Sequence, residues 1–420
     1  MLLREPIHGD IDLSPLEVAL IDQAEMQRLR GIKQLGTAAL VYPGAVHSRF
    51  DHSIGVCALA HRIIGHLRSG GQRISARQEA EVGVAALLHD VTHVPYGHTL
   101  EDERRLFPRH DKGSRLADLL AGPLGETLAA HDMRDTIAGL LGAAPLESPR
   151  WMQDIVSGAI DADLLDYLRR DSFFTGLAHD YDDRILRAFS LGEGRLAMRL
   201  VKHGMDRPDA RSEIIQVLRL RYFLTERVYT HHTKVVAGAM ISKAVELALT
   251  HGELTEADLL LLNDWTLLDR LQHARAPGAA SLARRVERRE LLKRGYVLSG
   301  RGVAPHLRGE WVERYHHDGA ARADAEQQIA AALEVPFDAV VVYCPALTVM
   351  KEAAVPVLTR RGLCLLNDPG DESGDEIDAL QARYAGLWRF YVFVPAEVAS
   401  RAAVVCQQLF GPESEYYASR

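Results

Sequence analysis

Histidines and acidic residues crowd one part of this chain, centred on AALLHDVTHVPYGHTLED. Val82 to Leu88 is an apolar run at helical spacing that ends on His89 and Asp90 side by side. His93, His98 and His110 follow, His52 precedes them in HSRFDHSIG, and Asp163 comes later in AIDADLLDYLRRD. Imidazoles and carboxylates gathered in this way are the donor set of a first-row divalent metal. The constraint on the fold is therefore that residues as distant as His52 and Asp163 meet at one point.

The patterning divides the chain into two textures. After a short extended arm over residues 1–13, it reads as helical almost throughout up to residue 295. Ser14 and Glu17 form a capping box for a helix expected from Leu16 to Leu35, where Val18, Ile21, Met26, Leu29 and Ile32 recur at helical spacing. Further helices are expected from Arg49, from Ser75 to Asp90, from Trp151 to Arg170 and from Ser212 to His251, with LGEGRLAMRLV as a small hairpin. Pro95 and Gly97 break the backbone and leave His93 and His98 on an irregular loop. Near residue 335, FDAVVVYC, RGLCLL and WRFYVFV read as strands, separated by PALTVMKEAAVPVL and AEVASRAAVVCQQLF at helical spacing. The acidic, Gly-rich NDPGDESGDEID reads as a mobile surface loop. The expected class is mainly α: a helical domain over residues 1–300 and a smaller C-terminal α/β region over residues 301–420.

At 420 residues and 47% hydrophobic, the chain can bury a large core. A net charge of −8, from 57 acidic and 49 basic residues, gives no bulk attraction to nucleic acid or to an anionic membrane. Cys57, Cys344, Cys364 and Cys406 are far apart, which fits free thiols in a reducing compartment. No apolar run is long enough to span a bilayer, and MLLREPIHGDIDL has no signal-peptide core. These features set the expectation of a soluble cytoplasmic protein.

His52, His89, Asp90 and Asp163 are the expected metal ligands. Borderline imidazoles beside hard carboxylates suit Mn²⁺, Fe²⁺, Ni²⁺ or Zn²⁺ better than Ca²⁺, and the set does not identify the ion, Mg²⁺ included. Asp163, Tyr167 and Asp171 recur every four residues and share a helix face. Such a row places substrate-contacting groups along the two turns after a ligand, or else forms a solvated acidic face answered by Arg169 and Arg170. His93, His98 and His110 can position a phosphate, donate a proton to a leaving group or bind a second metal. Glu101 is near enough in sequence to orient one of them, and Arg49 and Arg221 are candidate phosphate clamps.

The ordered motifs REPIHGDI, QRLRGIKQLG, YPGAVHSRFDHSIGV, LLHDVTHVPYGH, FPRHDKG, AIDADLLDYLRRD and ERVYTHH resemble those of the HD-superfamily deoxynucleoside triphosphate triphosphohydrolases, over most of residues 4–245. The resemblance implies an HD-domain helical core with the ion on His52, His89, Asp90 and Asp163. It implies attack of metal-activated water on the α-phosphorus, giving a deoxynucleoside and inorganic triphosphate. By the same resemblance His110 is the general acid, Glu101 orients it, and His93 and His98 contact phosphate oxygens. Arg49, Arg221 and Tyr229 then line the phosphate channel, while Gln34, Leu35, Tyr167 and Asp171 face the sugar. A nucleotide activator between subunits of a homo-oligomer is a further implication, since Asp22, Gln27 and Arg30 sit where a guanine-recognising cluster occurs in a vertebrate relative; packing and surface roles in the first helix are the simpler reading of those three.

One position departs from the family pattern. Where DxDKxDY is common, this chain has DADLLDY, with Leu164 in place of the lysine that meets the triphosphate. A nucleoside monophosphatase or phosphodiesterase using the same ion is therefore the alternative reading, and a nucleotide-sensing module is the reading from outside enzymes. Partners of the nucleic-acid type are not expected, for want of a basic or aromatic groove.

Overall fold

The computed structural model describes residues 1–112, 114–368 and 374–416. The N-terminal arm is a hairpin, Leu2–Glu5 paired antiparallel with Gly9–Asp12. Ser14 caps the Pro15–Ile21 helix, and Glu17 returns the bond to complete the capping box. The single helix expected from Leu16 to Leu35 does not form. Gln23 is extended (φ −67°, ψ 146°) and a second helix, Ala24–Arg28, starts after it. Gln27 Nε2 donates to the freed carbonyl of Ile21 at 2.6 Å, so the break is satisfied locally.

Three helices form the part of the fold that matters most for function. Arg49–Ser69 packs against both Ala76–Leu88 and Ala162–Thr175. The expected Trp151–Arg170 helix is two helices, Arg150–Ser157 and Ala162–Thr175. Asp161 restarts the chain by accepting the Leu164 N–H at 2.7 Å. The expected Ser212–His251 helix also divides, into Pro208–Leu224 and His232–Thr250, across a π-helical turn over Thr225–Tyr229. The hairpin is present as Phe189–Gly192 and Arg195–Arg199.

In the C-terminal region a three-stranded sheet has Arg389–Val394 at its centre, antiparallel to both Lys293–Ser299 and Val341–Tyr343. Lys293–Ser299 was not anticipated as a strand. Alternate residues of the central strand enter different cores: Tyr391 and Phe393 join the one built on the His232–Thr250 helix, while Phe390, Val392 and Val394 join the one beneath Gly319–Leu333 and Ala399–Phe410. Both faces are covered, which is why the strand reads as an unbroken apolar run. PALTVMKEAAVPVL is not a helix: it holds a 3-10 turn, Lys351–Ala354, and the strand Pro356–Thr359. That strand pairs in parallel with Arg195–Arg199 and antiparallel with Gly362–Leu365, so the C-terminal region adds two strands to the earlier hairpin. Of NDPGDESGDEID, residues 369–373 lie outside the described residues, and from Gly374 a helix runs to Ala385. Among the described residues, no helix is long and apolar enough to cross a membrane.

Candidate metal centre

The three packed helices bring the four expected ligands together. His52 lies in the first turns of Arg49–Ser69, whose N-terminus is closed by a Ser48–Asp51 capping box. His89 caps the end of Ala76–Leu88, Asp90 follows it, and Asp163 is in the first turn of Ala162–Thr175. His52 Nε2 lies 2.9 Å from Asp163 Oδ1, 3.3 Å from His89 Nε2 and 3.8 Å from Asp90 Oδ2. His89 Nε2 lies 3.4 Å from Asp90 Oδ1 and 3.7 Å from Asp163 Oδ1.

Each imidazole has its other nitrogen occupied. His52 Nδ1 is 2.7 Å from Asp166 Oδ2, and His89 Nδ1 is 2.7 Å from the carbonyl of Ala86. A neutral ring that donates from Nδ1 presents the lone pair of Nε2. Two such lone pairs converging with two carboxylates fit a first-row divalent ion. The local field favours positive charge as well. Burial works against a charged His52, yet Asp163 and Asp166 outweigh it and raise its pKa to about 10.

Asp90 is buried, and Arg49 Nη1 donates to its Oδ2 at 2.6 Å. Burial opposes ionisation, but Arg49, His89 and His93 hold the carboxyl well below its usual range. Gly97 makes room for this pair: it has φ +53°, and a Cβ there would stand 2.5 Å from Arg49 Nη2. The preceding residue, Tyr96, also has positive φ (58°), and its N–H donates to Asp264 Oδ1 at 2.7 Å. Arg28 Nη2 holds the same loop by donating to the carbonyls of Val91 (3.1 Å) and His93 (2.7 Å).

His93, His98 and His110 form a second cluster around Glu101. The His93 and His110 rings stack at 3.7 Å, and His93 Nε2 is 3.1 Å from Asp90 Oδ1. Glu101 Oε2 lies 3.3 Å from His110 Nδ1 and 3.4 Å from His98 Nδ1, while its Oε1 accepts from Arg115 Nη1 at 2.8 Å. Burial would raise the Glu101 pKa, but His93, His110 and His98 hold it far below the ordinary value. A carboxylate so placed keeps a ring proton on Nδ1 of His110 and leaves Nε2 directed toward Asp90, 3.9 Å away.

The next turns of Ala162–Thr175 carry the other expected residues. Asp171 is buried, with His47 Nε2 at 2.8 Å on one oxygen and the Tyr229 hydroxyl donating to the other at 2.7 Å. Gln34 joins this group through its N–H, which bonds the carbonyl of His47 at 3.0 Å, and Leu35 is buried beside it in sequence. The Arg221 guanidinium lies between two rings, 5.2 Å from the centre of Tyr167 and 5.4 Å from that of Tyr229. The row is not a solvated acidic face: Arg169 turns to Asp180 and Asp183, and Arg170 is buried against Asp166 and Glu5. Leu164 is buried in the hydrophobic core. Gln27 and Arg30 are tied into the scaffold, Arg30 Nε donating to Gln27 Oε1 at 2.9 Å and its guanidinium lying 3.6 Å from the Phe50 ring centre.

Sequence reasoning missed the layer behind the ligands. Asp166 accepts from His52, from His8 Nε2 at 2.6 Å and from Arg170, and Arg170 in turn pairs with Glu5. All four sit inside motifs already quoted, REPIHGDI and DADLLDYLRRD, so their presence there was the available signal. Glu352, which pairs with Arg221 at 3.3 Å, had no signal at all. Several of the residues described above keep buried polar atoms that make no hydrogen bond: Gln34 Oε1, Arg49 Nε, both His93 nitrogens, Arg221 Nε and Glu352 Oε2. Such atoms are uncommon in a folded protein and mark a place where a ligand supplies the partners.

An HD domain matches residues 49–171, and an HD-associated region matches residues 211–416. An uncharacterized protein of Methanocaldococcus jannaschii is 33% identical over 70% of this chain and 58% of its own length. The deoxynucleoside triphosphate triphosphohydrolase SAMHD1 of Danio rerio is 31% identical over 60% of this chain and 45% of its own length. The chain thus spans about half the length of the curated relatives it matches. Among solved structures, a hypothetical protein from Aquifex aeolicus has the same fold (TM-score 0.72, 21% identity, 97% of this chain and 99% of that one). So does a phosphohydrolase from Bacteroides thetaiotaomicron (TM-score 0.69, 23% identity, 94% of this chain and 99% of that one).

Proposed function

This chain belongs to the HD-domain phosphohydrolases, and from that premise we propose that it hydrolyses deoxynucleoside triphosphates at the α-phosphorus, releasing a deoxynucleoside and inorganic triphosphate. The observation that carries the reading is the convergence of His52, His89, Asp90 and Asp163 beside a separate His110–Glu101 pair. A divalent ion held by those four residues supplies Lewis acidity and lowers the pKa of a water. The chain's own groups do the rest. Arg49 meets a phosphate oxygen next to Asp90, and His93 and His98 contact others. His110, with its Nδ1 proton held by Glu101, delivers a proton from Nε2 to the departing 5′-oxygen. Asp171, with Tyr229 and Gln34 beside it, accepts from the sugar, while Leu35 closes the sugar pocket.

The second reading is hydrolysis of a less charged ester, a nucleoside monophosphate or a phosphodiester. Two observations favour it: Leu164 is buried and uncharged, and Arg221 is already paired with Glu352. A homo-oligomer and a nucleotide activator belong to the first reading by likeness to its relatives. The test is a product assay with Mn²⁺ and, separately, Mg²⁺, on deoxynucleoside tri- and monophosphates, with and without guanosine triphosphate. Inorganic triphosphate appearing with free deoxynucleoside supports the first reading. Orthophosphate from monophosphates alone moves the enzyme to the second, and no product from any of them defeats the first reading and the monophosphatase form of the second.

A further inference from the structure

Arg221 lies outside the metal cluster but along the same path. Tyr167 is one helical turn beyond Asp163, about 5.4 Å along the axis, and the Arg221 guanidinium stands 5.2 Å from the Tyr167 ring centre. Arg221 thus stands over the turn that follows the ligand Asp163, where a more distant part of a bound molecule would pass. Its Nε is buried and makes no hydrogen bond, while its side chain as a whole keeps 23% exposure.

The group facing it comes from the C-terminal region. Glu352, on the Lys351–Ala354 turn, sets Oε1 3.3 Å from Arg221 Nε, while its Oε2 is buried and makes no hydrogen bond. The geometry is that of two opposite charges held close without the aligned bonds of a finished bidentate pair. The neighbouring arginines are matched to carboxylates too: Arg49 to Asp90, Arg115 to Glu101, Arg170 to Asp166 and Glu5. A long anionic tail entering here would meet an arginine already neutralised by the carboxylate beside it.

We propose that Glu352 is a specificity-determining residue that sets how many phosphates this site accepts, by occupying Arg221 and repelling the distal end of a polyphosphate chain. The inference rests on the phosphohydrolase reading and deepens it. Substrates that place a single phosphoryl group at the metal cluster never approach Glu352, whereas those with a phosphate tail have to displace it from Arg221. The Lys351–Ala354 turn is followed by the Pro356–Thr359 strand that pairs with Arg195–Arg199, so the carboxylate is presented from an anchored segment.

The test is binding of inorganic tripolyphosphate and of orthophosphate, each in excess Mg²⁺, to the wild type and to Glu352→Gln, by calorimetry. The expected result is at least tenfold tighter tripolyphosphate binding in E352Q with orthophosphate affinity unchanged within twofold. Unchanged tripolyphosphate affinity, or an equal gain for both anions, overturns the proposal and leaves the pair as a structural tie. Should E352Q fail to fold, the wild type decides: a preference for tripolyphosphate over orthophosphate below tenfold supports the proposal, and a larger one overturns it. The hydrolysis assay separates the two levels. Absence of turnover on every deoxynucleotide defeats the phosphohydrolase reading, while the binding shift still reports on Glu352.

Discussion

Nδ1 of His52 rests 2.7 Å from Oδ2 of Asp166, and both side chains are buried. Asp166 touches none of the other expected ligands. It selects the tautomer that aims Nε2 of His52 at Asp163 and His89, and Arg170 and His8 hold Asp166 in turn. Partners of this kind change metal affinity by about 10- to 100-fold when altered. Asp166→Asn is therefore expected to weaken Mn²⁺ binding by about that factor with all four ligands intact. Titration calorimetry with Mn²⁺ checks it, and an unchanged affinity would count against the assignment.

Gly97 predicts a loss of a different kind. Gly97→Ala adds a methyl group 2.5 Å from Arg49 Nη2 at a positive φ. Arg49 then has to leave Asp90. Turnover of whichever phosphoester the product assay identifies is expected to fall by at least about tenfold, the scale of one misplaced contact. The thermal midpoint, measured in parallel, separates misplacement from unfolding.

Glu17 predicts an acid limit to stability. It is buried, and its carboxylate accepts from Ser14 N and lies 2.7 Å from His61 Nε2. Burial raises its pKa, but His61 and Ser14 prevail and lower it to about 2, against an unfolded value of 4.5. The folded form thus binds the proton less readily than the unfolded one. The stabilisation is complete above pH 4.5 and is lost as pH falls from there toward about 2. It is worth up to about 3 kcal/mol, shared with its partners. In Glu17→Gln the slope of unfolding free energy against pH should flatten between those limits, which denaturant melts at successive pH values will read.

A buried charge network ties the C-terminal region to the π-helical turn Thr99–Glu103 that carries Glu101. Glu326 of the Gly319–Leu333 helix accepts from Arg104 at 2.9 and 3.2 Å and from Lys243 at 2.9 Å. Arg104 lies only three residues beyond Glu101. Removing one partner of such a pair leaves an uncompensated buried charge, at a cost of about 3–5 kcal/mol. Glu326→Ala is expected to lower stability by that amount and to speed hydrogen exchange over residues 99–104. Exchange confined to the C-terminal region would mean that the network does not reach the site.

The legible parts of this molecule were those whose cause is local. A capping box placed the start of Pro15–Ile21, the helical reading of the sequence placed Arg49–Ser69 and Ala76–Leu88, and a Gly–Pro-marked break placed the His93–His98 loop. The expected ligands do converge, because each sits in or beside a helix whose register was readable. Helix interruptions were not legible. The break at Gln23 and the π-helical turn at Thr225–Tyr229 occur inside sequences with ordinary helical spacing, and the bonds that satisfy them come from side chains such as Gln27. Nor was Glu352 legible, since a single acid in PALTVMKEAAVPVL acquires meaning only when a strand pairing far along the chain brings it to Arg221.

That strand pairing has a consequence for how the chain matures. Arg195–Arg199 gains its second neighbour only when Pro356–Thr359 has been made, and the central strand Arg389–Val394 must arrive before Lys293–Ser299 finds a partner. During synthesis, Arg195–Arg199 keeps an unpaired edge until residue 356 has been made. Pairings of such wide sequence separation close late and slowly, and open edges recruit one another when chains are crowded. That pairing therefore closes late in folding, and yield in the cell should depend on whatever shelters the edge in the interval.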